Sequence, residues 1–447
     1  MTNEKYGLIG KTLVHSYSKE IHEALGRYQY QLFSLAEDEM PDFINARDFR
    51  GLNVTIPYKK DVIPLCDEVT DLARGIGAVN TLFWKNASGA GASESISQED
   101  KILVGHNTDY EGFLYAASRA GIDFEGKGVL ILGTGGTSLM ARRAAADQNA
   151  AKIYIASRHP ETDPPSGSEI QDAGILSTVS YDQLPEIADS IDVIVNTTPV
   201  GTFPNNMQQV IRLKDFPGCQ AVIDVIYNPF KTALLLEAEK LGLKYTNGLP
   251  MLVAQATAAA GYFLGTPGAF QKENQRIIKA MKQQMGNIVL IGMPGTGKSL
   301  IGKLLAELTG KTLQDTDAKI EEEAKMTIPE IFEKEGESGF RDRESAICKK
   351  LGKERNLIIA TGGGAILRPE NVDALRQNGT LVHITRSIDK LPTRGRPLSK
   401  SIETLKKMEA QRMPLYKAAA DITFRNNYTC SRKKLRQRVT TYILEKL

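Results

Sequence analysis

One stretch of the chain reads Asn287-Ile-Val-Leu-Ile-Gly-Met-Pro-Gly-Thr-Gly-Lys298-Ser299. An apolar run, a glycine-rich turn and a helix-favouring segment in this order are typical of a buried parallel strand that leads into a helix. The turn fits the pattern GxxxxGK[ST], whose backbone N–H groups wrap the phosphates of a nucleotide. It therefore predicts a P-loop, in which Lys298 reaches the phosphate oxygens and Ser299 helps to hold Mg²⁺.

A second stretch, upstream of the first, has the same organisation. It reads Gly128-Val-Leu-Ile-Leu-Gly133 and leads into Thr134-Gly135-Gly136. Beyond it, apolar runs at 152–156, 193–196 and 221–224 alternate with helix-like stretches, which is typical of a doubly wound parallel sheet. The two turns differ in spacing, so they predict two separate α/β units rather than two copies of one.

Length and composition limit the kinds of protein that this chain can be. The 447 residues are too many for one ordinary core, and the 41% hydrophobic content is usual for a globular protein. A net charge of +3 gives no reason to expect a nucleic-acid or membrane partner, and we interpret the basic run from Arg432 to Arg438 as a solvated helix face. We expect a cytoplasmic protein, because neither a signal peptide nor a long apolar run is recognisable. The cysteines form no CxxC pair and are expected to be reduced thiols; they are Cys66, Cys219, Cys348 and Cys430.

The loop with Gly133, Gly135 and Gly136 resembles a dinucleotide-binding turn, in which the backbone approaches a pyrophosphate at a helix N-terminus. Alone this signal is weak, because glycines between a strand and a helix also serve packing. The next strand ends in Ser157-Arg158-His159, where an NAD site would place a carboxylate for the ribose 2′-hydroxyl. A guanidinium suits a 2′-phosphate, so the sequence favours NADP over NAD.

Motifs spread over residues 1–270 resemble those of the shikimate dehydrogenase family, in the family's order. They read Tyr6-Gly-Leu-Ile-Gly10, His15-Ser16-Tyr17-Ser18, Asn53-Val-Thr-Ile-Pro-Tyr-Lys59, Gly77-Ala-Val-Asn80-Thr81, Asn107-Thr-Asp109, Asn196-Thr-Thr-Pro-Val-Gly201, Asp224-Val-Ile-Tyr227-Asn-Pro229 and Gly248-Leu-Pro-Met251-Leu-Val-Ala-Gln255. Several dispersed motifs are stronger evidence than any one of them. The resemblance implies NADPH-dependent reduction of 3-dehydroshikimate to shikimate.

The same resemblance implies roles for individual residues. Lys59 is expected to donate the proton that the reduced carbonyl oxygen takes up, and Asp109 to hold the Lys59 ammonium. The expected substrate contacts are Ser16, Ser18, Thr55, Lys59, Asn80, Asp109, Tyr227 and Gln255. The expected NADP contacts are Gly133, Gly135, Gly136, Thr137, Ser157, Arg158, Asn196, Gly248 and Met251.

Four places depart from the family pattern. Lys19 stands where proline is usual, His106 where aspartate is more frequent, and Tyr110 where glycine is more frequent. Ser157-Arg158-His159 replaces the usual Asn-Arg-Thr of the NADP segment. None of these departures removes a residue to which the resemblance assigns chemistry, but they bear on substrate preference and on the strength of cofactor binding.

Residues 287–447 resemble shikimate kinase, which transfers a phosphoryl group from ATP to the 3-hydroxyl of shikimate. Beyond the P-loop, the matching motifs are Asp315-Thr-Asp317, Gly339-Phe-Arg341-Asp-Arg-Glu344, Thr361-Gly-Gly363-Gly364, Arg394-Gly-Arg396-Pro-Leu398 and Gln411-Arg412-Met-Pro-Leu-Tyr416. By this resemblance Asp317 binds the acceptor hydroxyl and takes its proton, and Asp315 with Ser299 organises Mg²⁺. Arg341 and Arg412 are expected to hold the shikimate carboxylate, because paired guanidinium groups anchor and orient a small acid.

The remaining expectations for this part concern ATP and the substrate ring. Gly363 and Gly364 are expected to let the backbone approach the ring. Arg396 is expected to close a compact lid, since the segment between Ile384 and Arg396 is shorter than in many shikimate kinases. The expected ATP contacts are Gly295, Thr296, Gly297, Lys298, Ser299, Leu300 and Arg396, with Lys298 also expected to be catalytic.

The predicted fold class is α/β throughout. A substrate-binding domain is expected over residues 1–105, completed by about 245–270, with a Rossmann-type NADP domain over 106–244. A linker helix over 271–286 precedes a P-loop domain of the nucleoside-monophosphate-kinase type over 287–447. The segment 85–101, rich in Ser, Gly, Ala and Glu, is expected to form an exposed loop.

Three other interpretations stay open. The first half could be a shikimate-binding regulatory module, or it could act on quinate with NAD; the second half could phosphorylate another small hydroxylated acid. The pair Lys59 and Asp109 argues against the first interpretation. Arg158 and the pair Ser16 and Ser18 argue against the second, and Asp317 with the two arginines argues against the third. The expected partners are small-molecule substrates, without nucleic acid or membrane, for a monomer or homodimer.

Overall fold

The computed structural model describes residues 5–13, 16–86, 101–161, 174–391, 402–427 and 431–447. The chain divides into two compact units. The first comprises Met1–Thr202, Gln208–Phe230 and Leu234–Met281, and the second comprises Phe203–Met207, Lys231–Ala233 and Lys282–Leu447. Of the features expected from the sequence, His15, most of the loop 85–101, the lid motif with Arg396, and Cys430 lie outside the described residues.

A mixed sheet opens the first unit. Its strands are β1 (Tyr6–Gly10), β2 (Tyr30–Ser34), β3 (Gly51–Val54), β4 (Glu68–Val69), β5 (Thr81–Asn86) and β6 (Lys101–His106). Their order is β2-β1-β3-β5-β6-β4, with β5 antiparallel to both neighbours. The helices of this part are α1 (Ser18–Glu23), α2 (Glu39–Asn45), α3 (Asp71–Ile76) and α4 (Asp109–Arg119). The central strands β1 and β3 are buried along their whole length, so the polar residues that follow them meet at one edge of the sheet.

An all-parallel sheet follows in the same unit. Its strands are β7 (Gly128–Leu132), β8 (Lys152–Ser157), β9 (Leu176–Ser180), β10 (Val193–Asn196), β11 (Ala221–Asp224) and β12 (Lys244–Thr246). The helices are α5 (Gly136–Asp147), α6 (Leu184–Ile187) and α7 (Ala233–Lys240). The strand order is β12-β11-β10-β7-β8-β9, which reverses direction between β7 and β10. Ligands of such sheets bind outside the carboxyl ends of the strands at this reversal.

Helix α8 (Gly248–Phe263) returns the chain to the first sheet. The Phe263 ring packs against Tyr6 of β1, with 5.9 Å between ring centroids. Glycine at position 112 lets α4 and α8 approach closely, since a Cβ there would lie 2.6 Å from the Met251 carbonyl oxygen. The next helix, α9 (Asn274–Met285), leads to the second unit. The packing of α8 therefore places its residues beside the start of α4.

The second unit is built on a five-stranded parallel sheet. Its strands are β13 (Asn287–Ile291), β14 (Thr312–Asp315), β15 (Leu357–Ala360), β16 (Gly379–Thr385) and β17 (Ile422–Arg425). The helices are α10 (Lys298–Thr309), α11 (Thr316–Ala324), α12 (Ile328–Lys353), α13 (Pro369–Arg376), α14 (Ile402–Ala419) and α15 (Arg432–Tyr442). The order β14-β15-β13-β16-β17 puts the fully buried β13 at the centre. The glycine-rich turn after β13 thus lies at the middle of the sheet edge.

The predicted fold class is confirmed: each sheet is flanked by helices, and two of the three sheets are wholly parallel. Within the described part of the chain, no helix has the length and apolar character needed to span a membrane. The boundaries predicted for the individual domains stay predictions.

The first residue of β7 gives a test of the packing. A Cβ at Gly128 would lie 1.8 Å from the Ser190 carbonyl oxygen, whereas a Cβ at Gly136 would have no heavy atom within 4 Å. We expect Gly128→Ala to lower the free energy of unfolding of the first unit by at least about 2 kcal/mol, because backbone must move to relieve the overlap. The control Gly136→Ala should change it by less than about 0.5 kcal/mol.

Urea unfolding followed by Trp84 fluorescence measures both effects, since the chain has one tryptophan and it lies in the first unit. Equal stability of the two variants would contradict the close approach of β7 to the Ser190 carbonyl.

Candidate active sites

The first candidate site centres on an ion pair. Lys59 Nζ lies 2.6 Å from Asp109 Oδ2, and the two side chains are only 20% and 13% exposed. Lys59 follows β3, and its carbonyl accepts a hydrogen bond of 2.8 Å from the Val79 N–H, while Asp109 is the first residue of α4. Partial burial strengthens such a pair relative to one on the open surface. The arrangement holds an ammonium group at a fixed place at the wall of a cavity.

This cavity has a volume of about 330 Å³ and is lined mainly by hydroxyl, amide and charged side chains. All eight residues expected to contact the substrate line it: Ser16, Ser18, Thr55, Lys59, Asn80, Asp109, Tyr227 and Gln255. They come from the loop after β1 and the first residue of α1, from the loop after β3 and the residue before β5, and from the start of α4, the loop after β11 and helix α8. A cavity of this size and polarity suits a small polyhydroxylated acid.

Hydrogen bonds fix the orientation of several lining side chains. The Ser16 hydroxyl donates to the Ser18 hydroxyl over 3.1 Å. Asn80 Nδ2 donates to Gln255 Oε1 over 3.2 Å, and Asn80 Oδ1 accepts from the Thr108 N–H over 2.7 Å. Asn80 therefore connects helix α8 with the turn that starts α4.

Asn53 is a lining residue that the sequence analysis did not single out. Its Oδ1 accepts from the buried Tyr30 hydroxyl over 2.8 Å, and its Nδ2 donates to the Asn80 carbonyl over 3.2 Å. The motif in which Asn53 stands was quoted, but nothing in its spacing indicates a partner on β2. The hydrogen bond from Tyr30 thus fixes the orientation in which the Asn53 side chain donates to the Asn80 carbonyl.

The glycine-rich turn of the second sheet lies after β7, at the reversal of strand order. Gly133 has φ +102°, and a Cβ there would lie 3.1 Å from both Thr197 Oγ1 and Thr198 Cγ2. Gly135 and Gly136 have no heavy atom within 4 Å of a Cβ position, so the start of α5 faces open space on that side. Thr137 follows in the first turn of α5. The backbone here is accessible to a bound phosphate group.

The other residues expected at NADP divide into exposed and enclosed positions. Arg158 is exposed at the carboxyl end of β8, whereas the Ser157 hydroxyl is buried and accepts from the His159 N–H over 2.9 Å. Asn196 is buried, and its Nδ2 donates to Asp224 Oδ1 over 3.1 Å. Among the residues expected to contact NADP, Arg158 is thus the one that exposes a positive charge to solvent.

Packing explains the identity of one further residue of this set. A Cβ at Gly248 would lie 1.9 Å from the Val225 carbonyl oxygen, so only glycine fits at the start of α8. Met251, in the next turn of α8, is half-buried.

The second candidate site is the P-loop after β13. Gly295 and Gly297 have φ +87° and +96°, conformations that favour glycine. Lys298 Nζ donates to the Gly292 and Met293 carbonyls over 2.7 and 3.1 Å, and the Thr296 hydroxyl donates to the Met293 carbonyl over 2.9 Å. The loop is therefore held by its own side chains at the N-terminus of α10, where phosphates bind.

A larger cavity of about 580 Å³ extends from this loop. It is lined by most residues expected to contact ATP, the substrate or the metal: Gly295, Gly297, Lys298, Ser299, Leu300, Asp315, Asp317, Arg341, Gly363, Gly364 and Arg412. The buried Thr296 does not line it. The Ser299 hydroxyl donates to Asp315 Oδ2 over 3.1 Å, so two oxygen groups meet beside Lys298. In the described part of the chain, no group of three or more His, Cys, Asp or Glu side chains could hold a metal ion.

Asp317 differs from its neighbour Asp315. Burial, with Asp315 and Glu344 nearby, raises the pKa of Asp317 to about 6, although Lys298 acts in the opposite direction. Asp317 Oδ1 is buried without a hydrogen-bond partner, and so is Glu344 Oε1. A Cβ at Gly362 would lie 2.6 Å from the first oxygen and 2.8 Å from the second. Asp317 is therefore a carboxylate that can take up a proton close to neutral pH.

Two buried arginines line the far side of this cavity. Arg341 Nη1 donates to Glu344 Oε2 over 2.6 Å, and a Cβ at Gly364 would lie 2.1 Å from that nitrogen. Arg412 Nη1 donates to the Gly363 carbonyl over 2.9 Å, as does the Tyr416 hydroxyl over 2.6 Å. The side chains of Glu344 and Tyr416 thus support the arginines and the glycine turn. Both stand in motifs named above but were not singled out, and the three-residue spacing of Arg341 and Glu344 on one helix is the signal that could have identified Glu344.

Two family models match the chain. The model described as Shikimate dehydrogenase substrate binding domain matches residues 8–82, and the model described as Shikimate kinase matches residues 294–447. The first match contains Lys59 and Asn80, and the second contains Lys298, Asp317 and both arginines.

The chain is also similar to individual proteins. A shikimate dehydrogenase (NADP(+)) of Caldicellulosiruptor bescii is 35% identical over 268 residues, which are 57% of this chain and 88% of that protein. A crystal structure of a chorismate mutase/shikimate 5-dehydrogenase fusion protein from Clostridium acetobutylicum is 32% identical with a TM-score of 0.54, covering 63% of this chain and 98% of that chain. A quinate dehydrogenase from Corynebacterium glutamicum in complex with NAD is 26% identical with a TM-score of 0.52, covering 62% and 98%.

The raised pKa of Asp317 predicts a pH-dependent stability effect. Its pKa rises from 3.8 to about 6 on folding, so the stability that this group confers is complete below pH 3.8 and is lost as the pH rises through 6. At pH 8 the ionised carboxylate costs the folded second unit about 3 kcal/mol. We expect Asp317→Asn to raise the free energy of unfolding by a large part of this amount at pH 8, and by progressively less towards pH 4.

Urea titration read by hydrogen exchange of the peptide containing β13 measures the stability of the second unit. Asp342→Asn is the control, since that side chain on the same unit is 69% exposed and pairs with Arg368; it should change stability by less than about 1 kcal/mol. A gain for Asp317→Asn that did not depend on pH would contradict the assigned shift.

Proposed function

We propose that this chain, which belongs to the shikimate dehydrogenase family and carries a shikimate kinase domain in its C-terminal part, is a bifunctional enzyme of the shikimate pathway. Its first activity is the NADPH-dependent reduction of 3-dehydroshikimate to shikimate. Its second is the ATP-dependent phosphorylation of shikimate to shikimate 3-phosphate. The observation that carries the proposal is that the expected substrate contacts of the dehydrogenase all line one cavity, and that most of the residues expected at ATP, shikimate and Mg²⁺ line another.

In the dehydrogenase site, NADPH supplies the hydride that reduces the ketone carbon. Lys59 Nζ donates a proton to the ketone oxygen as that oxygen gains charge, and Asp109, at 2.6 Å, keeps the ammonium in place. Ser16 and Ser18 bind the substrate carboxylate, and Asn80 and Gln255 bind ring hydroxyls. Arg158 offers its guanidinium to the 2′-phosphate at the end of β8. These roles are proposals that rest on the positions of the side chains.

In the kinase site, ATP supplies the phosphoryl group. Asp317 accepts the proton of the 3-hydroxyl, and its pKa of about 6 leaves it mostly ionised at neutral pH. Arg341 and Arg412 hold the substrate carboxylate, and Lys298 binds the phosphates from the loop. The hydroxyl of Ser299 and the carboxylate of Asp315 are the oxygen ligands that suit Mg²⁺, which would neutralise phosphate charge there. Arg396, outside the described residues, is proposed to close over ATP.

A second candidate for the first activity is oxidation of quinate with NAD. The likeness to the quinate dehydrogenase from Corynebacterium glutamicum covers 62% of the chain, and the likeness to the chorismate mutase/shikimate 5-dehydrogenase fusion protein covers 63%. The exposed Arg158 favours NADP, because the strand end Ser157-Arg158-His159 offers a guanidinium for a 2′-phosphate and not a carboxylate for a 2′-hydroxyl.

Assays on the purified full-length chain test both activities. We expect reduction of NADP⁺ that depends on shikimate, and consumption of ATP that depends on shikimate. NAD⁺ and quinate, in all pairings, serve as controls. Turnover of quinate with NAD⁺ alone would establish the second candidate. Absence of any reduction, in protein that phosphorylates shikimate, would make the first half a regulatory module.

The two cavities predict separable activities. Lys59→Ala should lower the dehydrogenase rate by at least about 100-fold, because it removes the proton donor, while phosphorylation stays near that of the wild type. Lys298→Ala should abolish phosphorylation and leave the dehydrogenase rate near that of the wild type, since it removes the charge that holds the phosphates. Both rates are measured on each variant, and a loss of both activities from either substitution would show that the sites are not independent.

A further inference from the structure

The backbone carbonyls of the P-loop, residues 292–299, need hydrogen-bond donors. A loop that turns its N–H groups towards phosphates turns its carbonyls away from them, and a buried carbonyl needs a donor. Lys298 Nζ donates to the carbonyls of Gly292 and Met293, and the N–H of Ile301 in α10 donates to the carbonyl of Gly297 over 2.9 Å. The carbonyl of Thr296 lies between them, and its donor comes from outside the loop.

That donor is Asn426, directly after β17. Its Nδ2 donates to the Thr296 carbonyl over 2.8 Å, a contact between residues 130 positions apart. The side chain is buried, with the residue only 8% exposed, and its own N–H donates to the Thr385 carbonyl of β16 over 2.7 Å. The amide is therefore fixed by two neighbouring strands before it reaches the loop.

Asn426 also contacts the next residue of the loop. A Cβ at Gly297 would lie 2.6 Å from Asn426 Nδ2, so glycine is needed there for space as well as for its φ of +96°. The peptide between Thr296 and Gly297 is thus fixed on its carbonyl side. Because a peptide unit is planar, holding its carbonyl also sets the direction of the Gly297 N–H, which lies on the opposite side.

We propose that Asn426 is a positioning residue for nucleotide binding, which acts by holding the Thr296–Gly297 peptide so that its N–H faces the phosphates. The inference rests on the proposed kinase function. Asn426 does not line the cavity, so its effect passes through the loop. It should alter the affinity for ATP and leave the affinity for shikimate unchanged, since Arg341 and Arg412 stand on other elements.

The neighbouring residue provides a matched control. Asn427 Oδ1 accepts from the Ser387 N–H over 2.7 Å, and its Nδ2 donates to the Ser387 hydroxyl over 2.7 Å. Asn427 thus connects the ends of the same two strands, and its described hydrogen bonds go to residues outside the P-loop. A variant at position 427 tests whether loosening the strand ends is sufficient to disturb ATP binding.

The test compares Asn426→Ala and Asn427→Ala in the full-length chain. Binding of a fluorescent methylanthraniloyl-ATP is measured without shikimate, together with the KM values for ATP and for shikimate. We expect Asn426→Ala to weaken nucleotide binding and to raise the KM for ATP by about tenfold, because a buried carbonyl loses its donor. The KM for shikimate and all values for Asn427→Ala should stay within about twofold of the wild type.

Asn426→Asp covers the case in which the alanine variant does not fold. It keeps the shape of the side chain but presents an oxygen to the carbonyl and a negative charge near the phosphates, so nucleotide binding should weaken at least as much. Unchanged nucleotide binding in a folded Asn426 variant, or an equal rise in both KM values, would overturn the inference. A wild type that binds nucleotide without phosphorylating shikimate would contradict the kinase function, while the binding data would still decide the role of Asn426.

Discussion

A buried backbone carbonyl needs a hydrogen-bond donor, and the loops of both sites depend on donors that come from other elements. In the first unit, two donors of β3, the Val54 N–H and Asn53 Nδ2, donate to the carbonyl of Asn80 over 2.8 and 3.2 Å. In the second unit, Arg412 of α14 donates to the carbonyl of Gly363, after β15. The donors to these two carbonyls lie on β3 and on α14, outside the loops. The geometry of each site is therefore a property of the assembled sheet and its helices, not of the loop sequence alone.

The two sites use carboxylates in opposite ways. Asp109 lies against an ammonium group, so it stabilises a cation that can give up a proton. Among the described residues no basic side chain forms an ion pair with Asp317, and burial with Asp315 and Glu344 nearby raises its pKa to about 6. A carboxylate with a raised pKa can accept a proton itself, whereas Asp109 holds the ammonium group that donates one. The proposed direction of proton transfer thus differs between the sites, because Asp109 is paired with an ammonium group whereas Asp317 Oδ1 has no hydrogen-bond partner among the described residues.

The central elements were predictable because burial on both faces makes an apolar run. The strands Val193–Asn196 and Ala221–Asp224 have the bounds that the sequence predicted, and both are fully buried. Strand β9 was not predicted, since every residue of this edge strand is half-exposed and its sequence Leu-Ser-Thr-Val-Ser lacks an apolar run. The glycines and charged groups of both sites stand in short local motifs, so the sequence indicated them. Asn426 stands in no such motif and was not predicted. Its role depends on a contact with Thr296 that no local spacing encodes.

The departures from the family pattern show how the first site tolerates change. Lys19 forms an ion pair with Glu23 one turn along α1, with 3.8 Å between Nζ and Oε1. His106 Nε2 lies 3.1 Å from Glu111 Oε1 in α4, and the Tyr110 hydroxyl donates to Asp147 Oδ2 over 2.8 Å. None of these three described side chains lines the cavity around Lys59. Lys19 has its partner on the same helix, and His106 and Tyr110 have theirs on α4 and α5, so the energetic effect of each residue is local. The cavity can therefore keep all eight expected contacts while the sequence immediately around it changes.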